Sequence, residues 1–263
     1  ETVYEEFNMY QDDDFSRAYN ALNKALFPTH PLGRDVIGYP EHLKNPSMVS
    51  IMKFKDTWYV PNNMAICLSG DLDPDNTIQM IDEIFGKIPS KELPELPKIT
   101  EEPIKVPVIE DVLGPDAETM FMAYRCNGEH SSDKIYIDLI SKILYNGMAG
   151  LIDIDLIQEQ EILDGYCYSN FNTQYGMLFF SMNPKEDQTL EDLKDLVLKE
   201  IEKVKQGDFP DWMLEAIANQ NRLGLLRRFQ DNFRAFDFLD AFIMEKEWRN
   251  ELTYPDELEK ISK

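Results

Sequence analysis

Three histidines and three cysteines are the side chains here with most scope for metal or nucleophile chemistry. His30, His42 and His130 stand too far apart for any two to share a helical turn, the arrangement by which paired imidazoles grip a metal ion. Cys67, Cys126 and Cys167 lie in apolar or aromatic runs (Met-Ala-Ile-Cys-Leu, Ala-Tyr-Arg-Cys, Gly-Tyr-Cys-Tyr). None has a histidine nearby in sequence to take its proton, so small core thiols are the reading that fits. Their odd number argues against a disulfide framework. Asp71-Leu72-Asp73-Pro74-Asp75-Asn76, with Asp82 at the twelfth position, imitates an EF-hand calcium loop. Geometry is against it: Asn76 stands where the turn glycine belongs, Pro74 stiffens the loop, and Asp82 replaces the bidentate Glu. The stretch reads better as an acidic loop capping a helix that starts at Pro74.

The charge balance narrows the partners. Of 263 residues, 49 are acidic and 26 basic, a net charge of −23. A phosphate backbone is repelled by such a chain, and no basic cluster stands out to overcome this, so nucleic acid is set aside. Basic peptides would be attracted. Hydrophobic residues at 43% and aromatics at 11% imply a folded globular product. No apolar run reaches membrane-spanning length, and the first residues are not a signal peptide, so nothing here fixes localisation.

Helical periodicity runs from Thr2 to Leu26, interrupted at Asp12-Asp13-Asp14 and ended by Phe27-Pro28-Thr29-His30-Pro31-Leu32-Gly33. A second helix is expected from Pro46 to Tyr59, a buried strand from Asn63 to Ser69, and a helix from Pro74 to Phe85 packed on that strand. Prolines 89, 94, 97, 103 and 107, interleaved with Lys and Glu, mark an extended linker. Beyond it a strand is expected from Glu118 to Cys126 and a helix capped by Ser131-Ser132-Asp133. Next come a short helix from Leu151 to Ile162, a hairpin of Gly165 to Asn172 with Tyr175 to Met182, and long helices from Leu190 to about Trp248. The expected class is α+β. Its two related units, 1–90 and 108–263, are joined by a linker at 91–107, each an antiparallel sheet with helices mainly on one face.

One internal repeat stands out. Tyr39-Pro40-Glu41-His42-Leu43-Lys44-Asn45-Pro46-Ser47 returns as Tyr254-Pro255-Asp256-Glu257-Leu258-Glu259-Lys260-Ile261-Ser262, offset by 215 residues, with Tyr, Pro, Leu and Ser in common. The first copy precedes a helix and a strand; the chain stops before any strand after the second. The second unit is therefore expected to lack its last strand, and the first unit its beginning.

Several segments, in order, carry a family resemblance. Val3-Tyr4-Glu5-Glu6-Phe7-Asn8-Met9-Tyr10-Gln11-Asp12-Asp13 comes first, then Ala25-Leu26-Phe27-Pro28-Thr29-His30-Pro31-Leu32-Gly33-Arg34, then Trp58-Tyr59-Val60-Pro61-Asn62-Asn63-Met64 and Gly70-Asp71-Leu72-Asp73-Pro74. Together they resemble the pitrilysin/insulinase family of zinc metallopeptidases. The second unit matches more loosely, through Asn146-Gly147-Met148-Ala149-Gly150-Leu151 and the terminal helices. The resemblance implies a His-x-x-Glu-His helix giving two zinc ligands and a general base, with a third ligand, a Glu, on a later helix. That third position falls on Glu6, while Glu5 is turned about 100° away around the helix. The His-x-x-Glu-His helix is not in this sequence. It is expected upstream, so this chain alone is expected to be inactive and without bound zinc.

What the resemblance implies for the intact protein is a zinc-dependent endopeptidase or oligopeptidase acting on peptides or unfolded polypeptide. In the family's substrate-holding C-terminal half, an Arg and a Tyr grip the peptide, but Gln158-Glu159-Gln160-Glu161-Ile162-Leu163-Asp164-Gly165-Tyr166-Cys167-Tyr168 contains no Arg. That fits a piece of the zinc-carrying half, and equally a non-catalytic scaffold or substrate-binding subunit of the same fold. A calcium- or peptide-binding module is the third reading. Edges left open by the missing elements would let copies associate.

Overall fold

Residues 2–263 are described by a computed structural model. The fold is organised around the apolar run Met177-Leu178-Phe179-Phe180, which a strand can hold only if both of its faces are covered. It lies within β3 (Tyr175–Asn183), the central strand of a three-stranded antiparallel sheet flanked by β1 (Met120–Asn127) and β2 (Asp164–Phe171). The tight connection Asn172-Thr173-Gln174 sets the β2–β3 register, pairing Phe171 with Gly176 and Tyr168 with Phe179. On the other side, Ala123 pairs with Phe179 and Met122 with Phe180.

Strand alternation then sends two sets of side chains to opposite faces. Leu178, Phe180 and Met182 join Met120 and Cys167 against Leu144 of helix α6 (Lys134–Leu144), Ile152 and Leu156 of a π-helical turn (Ile152–Gln158), and Leu193 and Val197 of α7 (Leu190–Gln206). Phe179 points the other way. With Phe121, Tyr166 and Tyr168 it meets Tyr19, Leu22 and Leu26 of α2 (Asp14–Leu26). The rings there meet edge to face, Tyr19 on Phe179 at 5.7 Å and Phe121 on Phe179 at 5.3 Å, the geometry aromatic quadrupoles favour. A third apolar cluster joins α6 to α8 (Trp212–Phe229) and α10 (Asn250–Leu258) through Leu139, Ile143, Met213, Ile217 and Leu258.

Local caps explain where several helices begin and end. Thr189 and Asp192 form a reciprocal capping box at the start of α7, and Gly207, at φ 68°, closes it in the left-handed conformation that glycine adopts without strain. Asp13 accepts the N–H of Ser16 to start α2, and Asp73 that of Asn76 to start α5 (Pro74–Phe85). Asp153 is buried and accepts the N–H groups of Asn146 and Gly150, locking the loop between α6 and the π-helical turn. A side chain on Gly150 would bring its Cβ within 2.6 Å of the Leu144 carbonyl oxygen, so this loop has no room for one.

The antiparallel α+β architecture is the one expected, with these differences. The strand expected from Asn63 to Ser69 is extended but unpaired; Met64, Ile66 and Leu68 are exposed. A strand exists only through its ladder, and among the described residues no segment pairs with this one. No sheet therefore forms in the first 90 residues, and α5, expected to pack on that strand, buries no residue. The sheet after the linker carries helices on both faces, because α2 covers the second. Beyond α9 (Arg234–Ile243) there is a further helix, α10. It contains the second repeat copy: Tyr254-Pro255 lies inside α10, whereas Tyr39-Pro40 starts the short α3 (Pro40–Lys44).

Candidate metal-ligand helix and the family assignment

Helix α1 (Thr2–Asp12) carries Glu5 and Glu6 on its exposed surface and buries no residue. Glu6 Oε1 receives a long hydrogen bond, 3.5 Å, from the hydroxyl of Tyr10 one turn on. Its carboxylate makes no ion pair among the described residues. It is one oxygen donor, open to solvent.

The histidines do not join it. His30 caps the short turn Pro31–Gly33, its Nδ1 accepting the N–H of Leu32 at 3.2 Å. His42 lies in α3 with its ring edge-on to Tyr39, and His130 is exposed in the loop before α6. Among the described residues, no group of three or more His, Cys, Asp or Glu side chains is arranged to hold a metal ion. A zinc site needs three protein ligands, and among the described residues Glu6 has no such companions around it. The acidic Asp71–Asp82 stretch is likewise no cage: Asp73 is used as the N-cap of α5 and Asp82 belongs to that helix.

Cys167 is buried, which pushes its thiol well above the ordinary range, and Cys126 is raised by burial too, less Leu178's backbone hydrogen bond. Both stay protonated and inert.

Two polar clusters escaped the sequence pattern. Glu101, in the Pro-rich linker, has its side chain buried between the turn that follows α2 and the sheet: it accepts the N–H groups of Thr29 (2.8 Å) and His30 (2.5 Å), and its own N–H donates to Tyr175 Oη at 2.8 Å. Arg125 of β1 stands 3.8 Å from the same carboxylate and donates to the carbonyls of Leu26 (2.6 Å) and Glu102. Burial works to raise the Glu101 pKa, but the two N–H donors and Arg125 prevail, and it sits below the ordinary carboxylate range. In the second cluster, Asp138 of α6 accepts from Lys142, from Ser169 of β2 (3.0 Å) and from the hydroxyl of Tyr254 of α10. Neither aspartate nor tyrosine carries a sequence signal, since their partners are 31 and 116 residues away.

At the repeat offset, α1 falls on the middle of α8, and Asn221 takes the place of Glu6. Asn221 donates to the Ile217 carbonyl at 2.8 Å, an ordinary intrahelical bond. A neutral amide is no substitute for a carboxylate as a metal donor, so at this offset α8 carries no acid like that of α1.

Residues 49–221 match the family model described as the peptidase M16 inactive domain. The chain belongs to the peptidase M16 family. The matched region is the non-catalytic part of a zinc protease family, running from α4 (Met48–Trp58) through the sheet to α8. Among relatives, the uncharacterized zinc protease YmfH of Bacillus subtilis is 23% identical over 213 residues, 75% of this chain and 48% of that protein. The zinc protease PqqE of Helicobacter pylori is 20% identical over 208 residues, 77% and 47% of the two lengths. The chain thus spans about half the length of the curated relatives it matches. Among solved structures, a protease from Helicobacter pylori superposes with a TM-score of 0.85 at 16% identity, over 99% of this chain and 65% of that one. At that identity the likeness concerns the fold alone.

Proposed function

We propose that this chain is part of a zinc-dependent metallopeptidase, to which it contributes one metal ligand, Glu6, and the inactive domain that follows. The observation that carries the reading is the family match over 49–221; ahead of it, α1 exposes the carboxylate of Glu6, the residue to which the sequence resemblance assigns the third-ligand role. Glu6 is suited to that role because its carboxylate is accessible and engaged by only one long hydrogen bond. Peptides or unfolded polypeptides are the substrate class, and the −23 net charge favours basic ones. One donor does not hold zinc, so no catalytic step is assigned to this chain's own residues.

The test uses the intact protein. Glu6→Gln should lose bound zinc, read by elemental analysis, together with peptidase activity. Full zinc content in that variant removes Glu6 from the site. The 263-residue chain given zinc should show no turnover above background, and turnover would contradict the placing of the other ligands elsewhere.

A second reading is a non-catalytic scaffold of the same fold, which the inactive-domain match over 49–221 fits equally. The two part on the zinc content of the intact wild-type protein: a stoichiometric metal ion favours the peptidase, none favours the scaffold.

A further inference from the structure

One carboxylate lies at the apolar core without a full set of partners. Glu200 of α7 is 1% exposed and stands one turn beyond Val197, whose side chain belongs to the core between α7 and the sheet. Lys203, the next turn on, donates from Nζ to Glu200 Oε1 at 2.9 Å. Oε2 is 2.8 Å from the same nitrogen, yet it is shielded from solvent and no hydrogen bond from the described residues is directed at it. The same ammonium is claimed by a second acid. Lys203 Nζ also donates to Asp155 Oδ2 at 2.8 Å, and Asp155 belongs to the π-helical turn Ile152–Gln158. One cation thus stands between two carboxylates on two different elements, which leaves an unbalanced negative charge at the edge of the core.

Helix α7 packs against the π-helical turn, α6 and β1. The turn presents Asp155 to the buried carboxylate, and α7 itself presents Lys203. From α6 and β1 the core receives the apolar side chains of Leu144, Ile140, Met120 and Met122, with the protonated thiol of Cys126. Burial disfavours the charged form of a carboxyl, and a second carboxylate nearby adds to that. For Glu200 burial is the largest influence; Lys203 opposes it, Asp155 reinforces it, and the balance lies above the ordinary carboxylate value. Burial also works against the charge on Lys203, but Asp155 and Glu200 outweigh it, so the ammonium stays protonated.

We infer that Glu200, Lys203 and Asp155 form a proton-operated latch between α7 and the π-helical turn. With Glu200 ionised, Lys203 is divided between the two acids. When Glu200 takes up a proton from solvent its charge is lost, and Lys203 is left wholly to Asp155, which tightens the tie between the two elements. The start of the turn is already fixed by Asp153 on the N–H groups of Asn146 and Gly150, so Asp155 is the acid that fastens the middle of it to α7. Turns of this π-helical kind are rare and recur at functional sites, and this one leads into β2. The sign follows from the raised folded value: the stability of the protonated form is fully present below the unfolded value of about 4.3 and is lost as pH rises through the folded one. The latch does not depend on Glu6 or on zinc.

The experiment titrates the full chain, carbon-13 labelled at its glutamate carboxyls, by NMR between about pH 4 and about pH 8, a span covering ordinary and raised carboxyl values. The signal that disappears in Glu200→Gln should titrate above the ordinary glutamate value of about 4.3. Asp155→Asn should lower that midpoint, because it removes the competing anion and gives Lys203 to Glu200 alone. Lys203→Met should raise it by roughly 1–3 pH units, the scale for losing an opposite charge at contact distance. Amide exchange over 152–158, corrected for the intrinsic effect of pH, should slow on acidification in the wild type and not in Glu200→Gln. A Glu200 midpoint at or below the ordinary value, a midpoint that Asp155→Asn leaves unchanged, or the same exchange behaviour in wild type and Glu200→Gln would each overturn the latch. Asp155 is partly exposed, so its variant keeps the test decisive even where Lys203→Met does not fold.

Discussion

The carboxylate of Glu101 accepts the backbone N–H of His30 at 2.5 Å, seventy-one residues back along the chain. The same carboxylate takes the N–H of Thr29, and Arg125 beside it holds the carbonyl that ends α2. A linker of prolines and charges is thereby fastened at one point to both α2 and β1. The ring of Tyr175 closes the group, receiving the Glu101 N–H on its hydroxyl and the edge of the His30 ring at 5.3 Å. This junction fixes how α2 lies on the aromatic face of the sheet.

Glu101→Gln should therefore destabilise the protein by about 1–3 kcal/mol, the range for a buried hydrogen-bonded charge left imperfectly matched. The pH dependence gives a second readout. The folded carboxyl has a lowered pKa, so its contribution is present above the unfolded pKa of about 4.3 and is lost as pH falls through the folded value. Urea denaturation across that acid range should show a shallower pH slope in Glu101→Gln than in the wild type. Parallel slopes would mean that Glu101 titrates alike in both states.

Asp138 and Tyr254 make the corresponding tie at the far end. Burial and the Asp138 charge both push the Tyr254 hydroxyl well above the ordinary phenol range, while Asp138, raised by burial, is brought below its own by Lys142, Tyr254 and Ser169. Tyr254→Phe should cost about 1–2 kcal/mol, and a double-mutant cycle with Asp138→Asn should show the two losses to be strongly non-additive. Because the folded tyrosine pKa is raised, the wild type should also lose stability as pH climbs above the unfolded value of about 10. Tyr254→Phe should lack that alkaline loss.

Most elements with local signals were legible in the sequence. The hairpin β2–β3 and helix α5 fall within about a residue of the expected limits, because alternation, Pro74 at the first helical turn and Asp73 before it act within a few residues. Long-range partners were not legible. Met64-Ala65-Ile66-Cys67-Leu68 has a strand's composition, but composition does not supply a neighbouring strand. Nothing in the hairpin's own sequence says that α2 covers its aromatic face. Glu101 was hidden in a polar linker whose other residues are largely exposed. Of the candidate site, Glu6 rests on motif resemblance alone. Periodicity sees only an ordinary exposed helix glutamate.

Phe179 is fully buried at the centre of the aromatic layer, touching α2 on one side of the sheet, while its neighbour Phe180 fills the other side. Phe179→Ala should destabilise by about 3–5 kcal/mol, as for large core rings elsewhere. It should also loosen α2 selectively. Hydrogen exchange of α2 amides should accelerate more than that of α7, which packs on the opposite face. Equal acceleration would show that the two layers open as one unit.

The acidic loop before α5 gives the last expectation. Asp73 Oδ1 already accepts the N–H of Asn76 at 2.9 Å, and its backbone carbonyl takes the hydroxyl of Thr77 at 2.6 Å. A calcium ion would have to compete with the helix for that carboxylate and would find no glycine to make the sharp turn that brings the other oxygens round. Calorimetric titration with calcium should give no saturable heat at millimolar concentrations. Asp73→Ala should instead lower thermal stability, with a loss of about 1 kcal/mol from the missing cap. Saturable binding abolished by Asp73→Ala would make the loop a cation site after all.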